Sequence, residues 1–396
     1  MNEPRTISSG VKRNHIDLPV LIAILTLMVL SLGVVYSASA TWAMQRFGES
    51  SRMISLHALR VLLGIVALFV GMAIDYTKLK RITKLTLVVS VVLLFVTLIF
   101  GGEMKGASRW LRFGGFGFQP SELAKIALLF HLSTLIAAKG ELIKDFKRGF
   151  IPMMIWIIGV TMLVLIQPNF STGFMILSLG LIMLFVSRAR MLHLVGVSLV
   201  SLPLLVGYLV SAEYRLERVR SFLEGGLSGG GMSYQLYQGI IGFGNGGLIG
   251  VGPGESRQRD LFLPESYGDF VFSIVGEEYG LIGTLFFMSL FLVIMLRGFK
   301  IAKHAPDRFS QLIAIAITSM VTLYALVNAG VTLGVLPTTG LPMPFVSYGG
   351  SSLLFTSFAV GVLLNISART DLHPRASVLP EGTMPLEPLE KKVRIT

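Results

Sequence analysis

Apolar residues fall into runs along the chain, and the runs are separated by short polar breaks. Ten stand out, at about 18–38, 55–74, 84–101, 120–138, 150–167, 172–187, 192–211, 269–296, 309–335 and 350–368. As a helix, each is about long enough to cross a hydrocarbon core of about 30 Å. The pattern predicts an all-α polytopic membrane protein with about ten transmembrane helices. Pro152, Pro168 and Pro203 lie in or beside these runs, where neighbouring helices re-satisfy the backbone groups that proline frees. The first run is too long for a removed signal peptide and lacks a small-residue cleavage site, so it predicts a retained helix. Three divisions follow: an N-terminal segment, 1–17; a membrane domain, 18–368, with a long polar segment at about 212–268; and a Pro-rich, charged tail, 369–396, expected to be disordered.

Composition agrees with the pattern. Hydrophobic residues make up 53% and charged residues 14%, with a mean hydropathy of +0.73, and a soluble chain of this length carries more charge. The net charge of +12 does not imply nucleic acid, because the basic residues are dispersed between the apolar runs. Arg5, Lys12 and Arg13, then Lys78 to Lys84, Lys139 to Arg148, Arg188 and Arg190, Arg297 to Arg308, and the tail fall on one side. That side is cytoplasmic by the positive-inside rule, with both termini inside. Cysteine is absent, which excludes disulfides, thiolate catalysis and Cys-ligated metals.

Three segments on the opposite, outer side are rich in Gly, Pro, Ser and Thr: Glu103–Lys125, about 211–268, and Val335–Ser352. Ordered loops are expected there. The first holds Lys105, Arg109 and Arg112 around Trp110. Interfacial anchoring suits Trp110; for Lys105 and Arg109 an anionic ligand is an equal alternative, since guanidinium groups match phosphate oxygens. Glu122 and Lys125 share a helix face at i, i+3, which predicts a mutual ion pair that shapes a nearby cavity. His131, deeper in the same run, reads as a packing residue.

In the second segment, Arg215, Arg218 and Arg220 predict a short helix or turn with a basic flank, facing either headgroups or a ligand. Glycines at 239, 242, 244, 246, 247, 250, 252 and 254 are expected to exclude a stable regular helix throughout. Neither a phosphate-binding GxxxxGK[ST] loop nor a dinucleotide fingerprint is present.

Asp269 opens the eighth run. Ser273, Gly276 and Gly280 follow on one helical stripe, which suits an aqueous cleft or a close helix contact. From position alone Asp269 reads as an N-cap. Glu277 and Glu278 are adjacent and cannot share a face, so at least one should meet a partner or cavity.

The outer motifs carry a resemblance. KGASRW (Lys105–Trp110), FQPSELAK (Phe118–Lys125), GVGPGESRQ (Gly250–Gln258), LPESYGDFVFSIVGEE (Leu263–Glu278) and LPTTGLPMPFVSYGGSS (Leu336–Ser352) resemble the SEDS family of bacterial cell-wall proteins over about residues 15–370. The SRQ stretch and its spacing to Asp269 look more like the division and sporulation branch than the elongation branch. The resemblance implies a peptidoglycan glycosyltransferase of the bacterial cytoplasmic membrane that polymerises lipid II at the extracytoplasmic face. It implies a cognate class B penicillin-binding protein and divisome regulators as partners, besides membrane lipids, and no nucleic acid. The family's essential acid falls on Asp269. Two positions depart from the family pattern: Asn169 stands where a QPD aspartate is usual, and Gly268 where threonine is usual.

Forming a β-1,4 link from an α-linked sugar pyrophosphate inverts the anomeric carbon. Asp269 is then expected either as general base or as ligand of a divalent cation, Mg or Mn, without an organic cofactor. Lys105, Arg109, Arg215, Arg218, Arg257, Gln258 and Ser347 are candidates for substrate binding, and Glu122, Lys125, Glu277 and Glu278 for shaping the cavity. A lipid II flippase and a non-catalytic scaffold for a penicillin-binding protein are the alternatives.

Overall fold

A computed structural model describes residues 15–104, 107–113, 116–228, 233–264 and 266–372. Most of the N-terminal segment and the tail, together with Lys105, therefore lie outside the described residues. The chain forms α1 (Leu18–Phe47), α2 (Arg52–Ala73), α3 (Tyr76–Phe100), a small antiparallel meander of β1 (Gly102–Met104), β2 (Ala107–Phe113) and β3 (Phe116–Phe118), then α4 (Pro120–Lys139), α5 (Ile151–Ile166), α6 (Phe170–Val186), α7 (Met191–Val210), α8 (Glu213–Ser228), α9 (Tyr234–Gly246), α10 (Val271–Lys303), α11 (Arg308–Thr332) and α12 (Ser351–Ser367).

The ten apolar runs become α1 to α7 and α10 to α12. Eight of these are long and apolar enough to cross a membrane, while α6 and α12 are apolar but shorter, at 17 residues each. The chain is a polytopic membrane protein whose spans are all helical, with one small sheet among the described residues. That sheet holds part of the first outer segment in register, pairing Leu111 with Phe118 and Arg112 with Gly117.

Local signals set the helix ends. Asp17 accepts from the Val20 amide at the start of α1, and Gly48, with φ +72°, ends it. Asp307 and Ser310 form a capping box on α11, which satisfies amides that a helix start leaves without partners. α2 packs along α12, α3 against α4, and α10 against α1, α9 and α11. α11 lies at the centre, its residues mostly buried, whereas α7 exposes Leu192, Leu199, Val200, Leu202 and Leu204, as a lipid-facing helix should.

Two features go beyond the sequence expectation. The glycine-rich segment is not helical throughout, as expected, since Gly247, Gly250, Gly252 and Gly254 have positive φ, but its first part does form a helix, α9, that ends at Gly246. Gly246 faces α10 so closely that a Cβ would lie 2.0 Å from the Gly276 carbonyl oxygen, and Gly276 in turn lies against the Phe243 ring. The stripe of small residues below Asp269 is thus a close helix contact, and packing outweighs the poor helix propensity of glycine.

The second feature is a break in α10. Gly280 has φ +63° and ψ −160°, a conformation open to glycine. The ladder is repaired from outside. The amides of Val251 and Gly252 donate to the carbonyls of Glu277 and Glu278 at 3.0 and 3.1 Å, and those of Leu281 and Ile282 donate to the carbonyls of Gly247 and Leu248 at 2.9 and 3.2 Å. Residues 247–252 are spliced into the helix.

Candidate active site at the outer helix ends

Asp269 sits just before α10, half-buried. It is not the cap: Phe270 occupies that position, without a side-chain capping bond. The Asp269 carbonyl accepts from Nδ2 of Asn328 on α11 at 2.8 Å, and the same nitrogen donates to the Leu341 carbonyl at 2.8 Å. Beside them Gly340, with φ +74°, leaves space for the carboxylate, since a Cβ there would lie 3.3 Å from Asp269 Oδ2. Two residues back, the Tyr267 carbonyl accepts from the Tyr348 amide at 2.9 Å.

The contacts continue across the outer surface. Ser171, in the first turn of α6, donates to the Thr339 carbonyl at 2.6 Å. Arg109 on β2 donates through Nε to the Gln167 carbonyl at 3.3 Å and through Nη2 to that of Pro168. Ser351 accepts from the Gln119 amide at 3.0 Å and donates to the Gly117 carbonyl at 3.2 Å. The first and third outer segments, the α5–α6 turn and the residue pair Gly268–Asp269 therefore form one connected surface.

Arg109 belongs to that surface, but at least part of its guanidinium is spent on backbone. Lys105 lies outside the described residues. Ser347 is buried and accepts from the Met343 amide at 2.8 Å, so its hydroxyl closes its own loop. Arg215 lies over Tyr208, 3.8 Å from the ring centre, and donates to Ser211 at 2.9 Å. Arg218 and Arg257 are exposed, while Gln258 is buried.

The acids within helices have local partners. Glu122 and Lys125 form the ion pair their spacing predicts, at 2.8 Å and almost fully buried, with Lys125 Nζ 4.0 Å from the Tyr324 ring centre. Glu277 accepts from Asn245 at 3.1 Å, from the Gln258 amide at 3.2 Å and from the Ser256 hydroxyl. Glu278 accepts from the Ser37 hydroxyl, to which Arg259 also donates at 3.3 Å. The Gly-rich segment thus serves Glu277 and Glu278, two turns below Asp269. Asn169 caps α6 by accepting from the Thr172 amide at 3.4 Å, a role that needs no charge.

Sequence reasoning overlooked Asn328, Ser171 and Ser351. The first had a signal, a carboxamide within the apolar run YALVNAGV, because polar groups inside spans are rarely idle. Among the described residues no three His, Asp or Glu side chains gather as a metal-ligand group. A divalent cation at Asp269 would rest on that one carboxylate and on oxygens of the substrate, a donor set that magnesium accepts.

Comparison with known proteins places this arrangement. The family model described as "Cell cycle protein", covering FtsW, RodA and SpoVE, matches residues 18–372. The chain is 38% identical over 355 residues to the probable peptidoglycan glycosyltransferase FtsW of Geobacter metallireducens, covering 89% of this chain and 95% of that one. It is 39% identical over 351 residues to the stage V sporulation protein E of Bacillus subtilis, with 88% and 96% covered. Among solved structures, a chain of a peptidoglycan synthase complex that coordinates polymerization and crosslinking superposes with a TM-score of 0.73 at 28% identity, covering 90% of this chain and 99% of that one. RodA of Thermus thermophilus, at 24% identity, shares the fold, with a TM-score of 0.66 and coverage of 89% and 96%. With its ten apolar helices, its outer motifs and these relatives, the chain belongs to the SEDS family of FtsW, RodA and SpoVE.

Proposed function

We propose that this chain is a peptidoglycan glycosyltransferase that polymerises lipid II at the extracytoplasmic face of the bacterial cytoplasmic membrane, in the manner of the FtsW and SpoVE branch and in a division role. One observation carries the reading. Asp269 stands at the outer mouth of α10, is not used as a cap, and is clasped by its backbone between α11 and the loop of Gly340.

The reaction follows from the chemistry of that acid. The acceptor sugar's 4-hydroxyl gives its proton to the Asp269 carboxylate as its oxygen bonds to the donor's anomeric carbon. The anomeric carbon–oxygen bond to pyrophosphate breaks on the opposite face, and undecaprenyl pyrophosphate leaves with the electron pair. Positioned proton transfer of this kind contributes about 10²–10⁴-fold. Arg215, Arg218 and Arg257 on the second outer segment are the cations offered to pyrophosphate, with Lys105 and Arg109 from the first. A divalent cation, if one takes part, would be held by Asp269 and would neutralise the leaving group. Polymerised strands need crosslinking, which suits a class B penicillin-binding protein as partner.

The alternative of lipid II transport gains no support from the buried acids. Glu122 is paired with Lys125 and Glu277 is enclosed by three donors, whereas a transport path needs polar groups continuing to the inner side.

The test is polymerisation of labelled lipid II by reconstituted protein with its partner. Asp269→Asn is expected to lower glycan output about 10²–10⁴-fold with unchanged membrane insertion, the scale set by losing a general base. Normal output from that variant would overturn the assignment, and leaflet transfer without chains would favour the flippase.

A further inference from the structure

We infer that Asn328 is a positioning residue for the outer acid, holding Asp269 and Gly340 in one geometry through a single carboxamide. The inference rests on the proposed role of Asp269. Asn328 lies in the last turns of α11 and is 1% exposed. A carboxamide nitrogen carries two N–H donors, and two backbone carbonyls receive them: that of Asp269, and that of Leu341, next to Gly340, both at 2.8 Å. These carbonyls are 72 positions apart in sequence, and one nitrogen bonds both. The carboxamide therefore sets the distance between two separate loops, and Gly340 on one of them borders the carboxylate carried by the other.

Chemistry favours asparagine over the alternatives. Aspartate offers only acceptors when ionised and would face two carbonyl oxygens. Leucine and alanine have no donor, and would leave the carbonyls unsatisfied in a buried setting. A helix supplies the rigidity, since α11 is packed on most sides. A site built on such an element is held more exactly than one built on loops alone.

Positioning has a signature distinct from stability. A displacement of about 1 Å at a reacting group can cost on the order of 10²-fold in rate, without altering how the lipid tail or pyrophosphate binds. The experiment compares wild type, Asn328→Ala, Asn328→Gln, Thr332→Ala and Asp269→Asn, each reconstituted with partner and given labelled lipid II. Thr332 lies one turn on, and its hydroxyl donates to the backbone carbonyls of Asn328 and Ala329 at 3.0 Å each, so it reports the cost of disturbing this stretch of α11 with the Asn328 carboxamide intact.

Asn328→Ala should lower kcat about 10–100-fold, with KM within about twofold, and should shift the acid limb of the kcat–pH profile. Asn328→Gln, which keeps both donors one methylene away, should recover part of kcat. Thr332→Ala should match wild type. A wild-type kcat and pH profile in Asn328→Ala, with Asp269→Asn inactive, would overturn the positioning role and leave the catalytic reading intact. Normal output from Asp269→Asn would overturn both. If Asn328→Ala does not insert, Asn328→Gln is judged by the same split: kcat lowered at constant KM supports the role, and wild-type kcat overturns it.

Discussion

At the inner, basic side of the molecule, aspartates are used twice. Asp17 caps α1 and also receives Nε and Nη2 of Arg297, at 3.0 and 2.7 Å. Asp75 caps α3 and meets Arg369 at 2.8 Å. Asp307 caps α11 and accepts from the Tyr76 hydroxyl at 2.7 Å. The outer side is fastened differently. Asn328, Ser171 and Ser351 hold backbone carbonyls and amides with neutral groups, Arg109 holds two more carbonyls, and the capping position next to Asp269 falls to Phe270. Charge on the inner side locks helices together; on the outer side neutral clasps and one arginine fix the backbone around Asp269. Inner substitutions should therefore cost mainly stability, and outer ones mainly turnover.

The largest expected effect is at Asp17, whose side chain is fully buried. Asp17→Ala removes a helix cap and one half of a pair whose Arg297 is part-exposed, and should cost about 3 kcal/mol, the low end for breaking a buried pair. Thermal unfolding in detergent would measure this, with glycan output per folded molecule unchanged. Lost output at wild-type stability would break the contrast between the two sides. Next comes Gly340→Ala on the outer side. A side chain at φ +74° is strained by about 1–2 kcal/mol and crowds the carboxylate, so output should fall about tenfold, the rate equivalent of about 1.4 kcal/mol. A melting temperature that collapses while output per folded molecule holds would show that this glycine serves the fold instead.

The smallest effect is at Asp75, still partly in water, where Asp75→Asn should cost at most about 1 kcal/mol. Burial pushes its carboxyl up, but hydrogen bonds from Arg369 and Thr77 and the Arg369 charge outweigh that and hold it down, at about 2. A folded-state value below the unfolded one means that the contribution is present above about pH 4 and is lost as pH falls toward 2. The stability difference between wild type and Asp75→Asn should shrink over that window. A difference that stays constant from pH 5 to pH 2.5 would remove the charge from the explanation.

What the sequence made legible follows from how local each signal is. An apolar run is its own evidence, so the ten helices and their alternating basic ends could be read directly. The Glu122–Lys125 pair was equally local, a matter of three residues on one face. The helix α9 was hidden, because Gly239, Gly242 and Gly246 fit a helix only once α10 lies against them. The capping expectation at Asp269 failed for a similar reason: its loop is set by Asn328, 59 positions away. The meander of β1 to β3 gave no alternating signal in a stretch rich in glycine and phenylalanine. Chemistry at the site was visible residue by residue, but its arrangement depends on contacts between segments far apart in the chain.

The splice at Gly280 bears on how Asp269 is aimed. Residues 247–252 precede by about thirty positions the helix residues they bond to. In α10 the amides at 281 and 282 and the carbonyls at 277 and 278 have two choices. They can bond one another in an uninterrupted helix, or they can bond that loop. Only the second bends α10 and sends its first two turns, with Asp269 at their tip, toward Gly340. The aim of the acid thus depends on a loop that precedes the span in the chain and supplies the bonds the span lacks at Gly280.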